Sequence, residues 1–405
     1  MFNDLLIGGV LATLAAIISF ATLKYFSLPA PYVWILLTWA AVFACGVRLV
    51  PRASRIWGSL AGLACVLALL EGSLWISDWW TMRDIKSEGT FAWKHDDLLG
   101  FVAPSDTART DRKNYRGRTL FDVVFTIDAN GLRISSSEPQ PAGMPCVLFF
   151  GDGYTFGWGL NDADTLPYRV ARLAGGGHRV YNLAFLTHGA HQMLAEMEHG
   201  LVSKQVDCRP DEIRFVIYSA TPDQVLKSAG LREMDLNHGP RYVMGADGTL
   251  SYQGQIGDNR SNLDKIKSLL ERSLLFRKLR GGDAFYLRAG NDDDLELYLA
   301  IVDRARALTH SLYPNSDFHV LLWSNDALGT DKDGKLRKQM LDGLRNKGIQ
   351  VHRVAEILPG SAESKPEYFL GEFSPHPTPL ANERLASYIV KNILNEPDHG
   401  ESSSQ

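Results

Sequence analysis

The chain lacks any concentration of basic residues: 42 Lys and Arg stand against 46 Asp and Glu, a formal net charge of −4. That balance offers nothing for a phosphate backbone to hold, so a nucleic-acid role is set aside. Metal-ligand spacing is absent as well. His188 and His191 stand three apart, but no third and fourth ligand follows, so neither a metal nor any other cofactor is expected. Cysteine is scarce, with four in 405 residues. Cys45 and Cys65 fall in apolar stretches and read as small buried residues. Cys146 and Cys208 each precede an expected strand, and they are either a disulfide between neighbouring parallel strands or two separate thiols.

The most informative shortage is of charge near the start. Leu5 to Leu23 carries none, and roughly 19 residues suffice to cross a hydrocarbon core of about 30 Å. Tyr25 to Val47 is a second such run, and Ile56 to Trp80 a third, broken only by Glu71 and Asp78. A secretory signal would open on basic residues, whereas this chain opens Met1-Phe2-Asn3-Asp4. Residues 1–83 are therefore expected to form a membrane domain with three transmembrane helices. Arg48, Arg52 and Arg55 cluster between the second and third runs, which keeps that loop cytoplasmic and sends everything after Trp80 outside. Trp75, Trp79 and Trp80 then lie at the outer interface. Glu71 breaks the pattern. A carboxylate in a span costs a few kcal/mol unless it meets a partner or water, so Glu71 is either a contact to another membrane protein or a hydrated group near the surface.

Beyond residue 83 the composition turns polar and mixed. Residues 84–140 are expected to be a small β-rich prelude, with strand signals at Leu99 to Val102 and Phe121 to Ile127. Arg109, Arg112, Lys113, Arg116 and Arg118 read as a basic loop between them, solvated or touching an anionic polymer. Residues 141–395 alternate apolar runs with helical patterns, which points to an α/β domain on a doubly wound parallel sheet. The expected strands are Val147 to Phe150, Val180 to Phe185, Ile213 to Tyr218, Phe318 to Trp323 and Ile349 to Val354. Expected helices run from about Thr165 to Leu173, Gly189 to Gly200, Ser261 to Leu279, Asp293 to Leu312, Lys335 to Asn346 and Pro379 to Leu394, the last with an apolar face at Leu380, Leu385, Ile389 and Ile393. Residues 226–260 show no periodicity and read as an insertion or lid, and 396–405 as a disordered tail.

The first of those strands ends in Gly151-Asp152-Gly153, a tight turn where open α/β sheets place ligands. This segment resembles the first block of the SGNH (GDSL-type) hydrolases, in which Gly-Asp-Ser closes the first strand and the Ser is the acyl nucleophile. Here that position is Gly153. Tyr181-Asn182-Leu183-Ala184 followed by Thr187, His188, Gly189 and Gln192 resembles the second block, which helps build the oxyanion hole. His376-Pro377 with Leu380-Ala381-Asn382 and Leu385-Ala386 resembles the last, which supplies the base and opens the final helix. The resemblance spans most of the soluble chain and implies a role in adding or removing O-acyl groups on envelope polysaccharide.

Acyl transfer needs a nucleophile, a base, an acid to orient the base, and oxyanion donors. Of the catalytic positions Asp152, Gly153 and His376, the Asp of the motif and the base His376 are present, but Gly153 has no side chain to act as nucleophile. The acid is missing from Ser374 and Phe373, leaving Glu372 as the nearest carboxylate. At the oxyanion hole, Thr187 replaces a Gly, Gly189 remains, and Asp223 stands where the family has an Asn. Tyr154, Thr155, Trp158 and His188 surround the expected cleft and are candidate ligand-binding groups, with Thr155 or a water as substitute nucleophile. The expectation is a multi-pass inner-membrane protein with a periplasmic SGNH-like domain, an accessory subunit of polysaccharide synthesis or export. Its partners would be an acylated glycan and other inner-membrane proteins. The alternative is a working carbohydrate O-acyl esterase or O-acetyltransferase, and Gly153 could be native or engineered.

Overall fold

Uncharged stretches satisfy their backbone N–H and C=O groups by closing into helices, and the start of this computed structural model is built that way. Helices α1 (Phe2–Tyr25), α2 (Pro31–Leu49) and α3 (Ser54–Met82) follow one another. Pro31 opens α2, where its missing N–H costs nothing, and a single 3-10 turn at Pro51–Ala53 leads into α3. A side chain at Gly46 would come within 2.4 Å of the Trp57 ring, so glycine there lets the indole of α3 close on α2. Among the described residues two segments, Pro31–Leu49 and Pro51–Met82, are long and apolar enough to cross a membrane, and a shorter apolar stretch, Gly9–Ser19, lies in α1. Of the three expected spans, two thus have the length and apolar composition that a crossing needs. Along α3 the buried side chains are Ala64, Ala68 and Glu71, one face at helical spacing, while Leu63, Val66 and Leu69 are exposed.

The structure describes residues 2–25, 30–90, 92–186, 188–231, 238–258, 270, 272–281, 290–323, 334–361, 367–371 and 374–395. The chain divides into one unit of Met1–Asp84 with Ser261–Arg288, and a second of Ile85–Arg260 with Ala289–Gln405.

The second unit begins with a β-rich prelude. Strands β1 (Ile85–Gly89), β4 (Thr107–Tyr115) and β5 (Arg118–Ile127) form an antiparallel sheet in the order β1-β4-β5, and β2 (Lys94–Asp96) pairs with β3 (Gly100–Val102). The expected basic loop is therefore mostly strand: Arg109, Arg112 and Lys113 lie on β4, and Arg118 opens β5. Its polar residues are tolerated because alternate side chains of β4 face outward.

Next come β6 (Cys146–Phe150), α4 (Gly153–Phe156), α5 (Leu166–Leu173), β7 (Arg179–Asn182), α6 (Ala190–Glu198), α7 (Val202–Gln205), β8 (Ile213–Ala220) and α8 (Gln224–Ser228). The stretch read as a lid carries α8 and an antiparallel hairpin, β9 (Pro240–Met244) with β10 (Leu250–Gln255). After α9 (Leu274–Leu279), which belongs to the first unit, the fold resumes with α10 (Asp292–Leu312), β11 (Asp317–Leu322), α11 (Lys335–Asn346), β12 (Gln350–Arg353) and α12 (Val354–Ile357). It closes with β13 (Phe369–Gly371), β14 (Ser374–Pro377) and α13 (Pro379–Ile389).

The central sheet runs β12-β11-β8-β6-β7 with every neighbouring pair parallel. All five residues of β6 are buried, and they alternate between two cores. Leu148 and Phe150 pack with α6 and α10, while Val147 and Phe149 pack with α5 and α13. The sheet is thus covered on both faces, as the doubly wound expectation required. On α13, Leu385, Ile389 and the following Ile393 are buried, but Leu380 is 43% exposed and drops out of the expected apolar face. Cys146 and Cys208 form a disulfide across a Cα separation of 6.6 Å, which decides between the two alternatives for that pair. Most of the expected helix from Ser261, and the tail, lie outside the described residues.

Candidate functional site

Numbered along the sheet's own chain order, the strands run 2-1-3-4-5, and ligands in such sheets bind outside the carboxyl ends of strands 1 and 3, where the winding reverses. In this chain those ends are Gly151 to Gly153 after β6 and Thr221 to Asp223 after β8. Gly151 has φ 148°, and a Cβ there would come within 2.8 Å of Thr155 Oγ1 and 3.2 Å of the Ser219 carbonyl oxygen, so the turn admits only glycine. Asp152 caps α4 by accepting a 3.0 Å hydrogen bond from the Tyr154 amide.

Gly153 is different, because its backbone is not left-handed and what it spares is space. A Cβ at Gly153 would lie 2.6 Å from His376 Nε2 and 3.1 Å from His376 Cδ2. The β13–β14 pair therefore carries the last-block histidine onto the nucleophile position of the first block, over two hundred residues earlier in the chain. This juxtaposition is the one that the resemblance to the SGNH hydrolases implies.

Solved structures similar to this one include a lipolytic protein of the G-D-S-L family from Veillonella parvula, at 12% identity over 62% of this chain and 99% of that one, TM-score 0.36. Another from Desulfitobacterium hafniense has 12% identity over 61% and 98%, TM-score 0.35. A catalytic mutant of an acetylxylan esterase from Geobacillus stearothermophilus has 12% identity over 64% and 98%, TM-score 0.36. None of their activities passes to this chain on that likeness. No family model and no curated protein matches it.

At this site the imidazole of His376 lies between the rings of Tyr154 and Trp158, each centroid 5.3 Å away. The residue as a whole is half-buried, but Nδ1 is shut off from solvent and has no hydrogen-bond partner among the described residues. Burial pushes its pKa down to about 4 against the opposing pull of Asp152, so the ring is neutral at pH 7. Glu372 and Phe373 lie outside the described residues. Asp152 points the other way: its Oδ2 meets Lys227 Nζ at 2.9 Å and accepts from Thr221 Oγ1 at 3.3 Å. Lys227 Nζ also lies 3.1 Å from Asp223 Oδ2, one turn back on α8, and all of these groups are buried. The place where the family sets a neutral amide donor is here occupied by an ion-paired carboxylate.

The remaining candidates separate. Thr187 lies outside the described residues. Gly189 caps α6, and its N–H donates to Gln192 Oε1 at 2.8 Å, which commits it to the helix start. Tyr154 is buried edge-on against Trp323, with centroids 4.9 Å apart. Thr155 is 0% exposed, and its Oγ1 has no partner among the described residues. His188 is buried, with Nε2 against the Phe101 carbonyl oxygen at 2.9 Å and Nδ1 3.5 Å from Glu196. Trp158 stays half-buried at the mouth, donating from Nε1 to Asp111 Oδ2 at 2.6 Å, with Lys113 Nζ 5.8 Å from its ring centroid. Glu71 belongs to the other unit.

Sequence reasoning placed none of three further features at the site: the β4 pair Asp111 and Lys113, the latter read only as part of a basic loop, then Lys227, then Arg133. Asp111 and Lys113 reach the site because β4 is a strand with both on one face; burial raises the Asp111 pKa and lowers that of Lys113. Lys227 announced itself only by its i,i+4 spacing from Asp223. Arg133 is the third, with a side chain fully out of solvent that donates to the carbonyl oxygens of Phe156 at 2.8 Å, Gly157 at 2.7 Å and Leu160 at 2.6 Å, and to Asp162 at 3.0 Å. It fixes the loop behind α4 and so the position of Trp158. Burial lowers its pKa to about 10, leaving it charged. Among the described residues no group of three His, Cys, Asp or Glu could hold a metal.

Proposed function

We propose that the soluble unit is a carbohydrate-binding domain on an SGNH-like fold that no longer performs acyl transfer. It serves as an accessory subunit of cell-envelope polysaccharide synthesis or export, held to the inner membrane by its N-terminal helices and facing the periplasm. The observation that carries this reading is the His376 ring standing where a nucleophile's side chain would be. Three others support it. The ring has no orienting acid on Nδ1 among the described residues, and the carboxylate of Asp223, standing where an amide is expected, has no N–H to donate to an oxyanion. The substitute nucleophile Thr155 is buried. The Cys146–Cys208 disulfide fits an oxidising compartment.

What remains at the mouth suits a sugar: the half-buried Trp158 ring flanked by Asp111 and Lys113 offers an apolar face with polar groups beside it. Its partner is an envelope polysaccharide, acylated or not, presented by neighbouring inner-membrane proteins. Binding of acetylated and deacetylated oligosaccharides to the full-length protein in detergent, followed by tryptophan fluorescence, tests this. Saturable binding that weakens at least tenfold in Trp158→Ala is expected. Binding indifferent to Trp158, or none to any glycan, would sink the proposal.

A further inference from the structure

Glu71 is 3% exposed in the middle of a 29-residue apolar helix, and its carboxylate is answered within its own unit. Ser273 Oγ donates to Oε2 at 2.8 Å, the Leu274 amide to Oε1 at 2.9 Å, and the Leu275 amide to Oε2 at 2.8 Å. Ser273 in turn caps α9, accepting from the Phe276 amide at 3.2 Å. The donors come from a point some 200 residues further along the chain, after β10 of the soluble unit has been completed.

We infer that residues 272–281 are a second membrane-embedded element, a short segment that returns to the bilayer and docks on α3 through Glu71. Depth supports this. Glu71 precedes the interfacial Trp79 by eight residues, about 12 Å along the helix axis, which puts it inside the hydrocarbon layer once α3 spans the membrane. At that depth a lone carboxylate and a set of unsatisfied helix amides are each strongly disfavoured. Joined, they satisfy each other, and neither is tolerable without its partner. The side chains agree. Leu279 is 77% exposed and Leu270 50%, apolar groups left uncovered by protein in the same unit whose α3 exposes Leu63, Val66 and Leu69. A bilayer covers all of them. Arg277 is buried within the protein, while Arg272 precedes the cap and Lys278 and Arg280 lie at the helix end, positions from which long stems can carry charge toward headgroups. Glu71 is thereby an internal latch, and the chain passes between its two units three times: after Asp84, before Ser261 and after Arg288.

The inference rests on α3 being a span and is independent of the glycan-binding reading. The test is limited trypsinolysis of the full-length protein in phosphatidylcholine vesicles. Cleavage after Arg277, Lys278 and Arg280 is measured by mass spectrometry against cleavage after the exposed Arg116 and Arg118 of the same molecule. In the wild type the inner sites are protected. Glu71→Ala should raise their relative cleavage at least tenfold, Glu71→Gln less, and Ser273→Ala, which leaves α3 untouched, about threefold. Equal relative cleavage in the wild type, Glu71→Ala and Ser273→Ala would overturn the inference. So would release of the intact protein from membranes by alkaline carbonate, which would strike the span itself.

Discussion

Replacing Gly153 by Ser restores the atom that the family motif demands and should still fail to restore a hydrolase. The added Cβ would lie 2.6 Å from His376 Nε2, where ordinary contacts begin at 3.4 Å, so the ring has to retreat by about 0.8 Å. It has little room to do so, because Tyr154 and Trp158 flank it with centroids 5.3 Å away. Overpacking of this kind costs about 1–3 kcal/mol. Against it stands about 0.4–1 kcal/mol gained by restricting the unfolded chain, since φ at Gly153 suits any residue. The net is a loss of about 0–2.5 kcal/mol, or a few degrees in melting temperature for a unit of this size. Removing the ring removes the conflict. In a His376→Ala background Gly153→Ser should be neutral or slightly stabilising, a coupling of about 1–3 kcal/mol between the two sites. Thermal unfolding of the four proteins by near-UV circular dichroism measures it. The same shift in both backgrounds would refute the claim that the imidazole occupies the nucleophile's space.

Other outcomes follow from the same contacts. Arg133→Ala strands several carbonyl groups and Asp162, and should cost about 3–5 kcal/mol in urea denaturation while loosening the loop that carries Trp158. Replacing Cys146 and Cys208 by Ala opens a loop of 62 residues and should cost about 4 kcal/mol, seen as a lower urea midpoint. Burial holds the pKa of His188 at about 4 and of His191 at about 3, below the value of about 6.5 in an unfolded chain. The unfolded state thus binds more protons below pH 6.5, and the stability these residues contribute is complete above that pH and drains away as pH falls toward 4. Each contributes on the order of 1–3 kcal/mol, and His188→Gln should flatten the decline in unfolding free energy between pH 7 and pH 5.

The parts of the fold legible in the sequence are those whose burial is written as an apolar run. Strands β6, β8 and β11 lie within two residues of where Val147, Ile213 and Phe318 begin such runs, and α11 has the expected ends at Lys335 and Asn346. Strand β4 was not legible: TARTDRKNY is polar throughout, and it is held by pairing with β1 and β5 rather than by its own pattern. The β9–β10 hairpin hid for the same reason. At the site, the lack of a side chain at position 153 could be read from Gly153 alone, but its surroundings could not, because they depend on where a hairpin over two hundred residues later places one ring. Lys227 and Arg133 were missed because a charged residue announces burial only through its partners. Glu71 stood out as an acid in an apolar helix, yet the donors that answer it come from a segment far along the chain.

The most direct test of the account is acetyl-ester turnover by the full-length protein beside His376→Ala. The wild type should hydrolyse no faster than the variant, since a neutral imidazole beside a side-chain-less Gly153, with no acid on its Nδ1 among the described residues, has no step to catalyse. Turnover by the wild type that vanishes in His376→Ala would contradict the account and restore an enzyme to this fold.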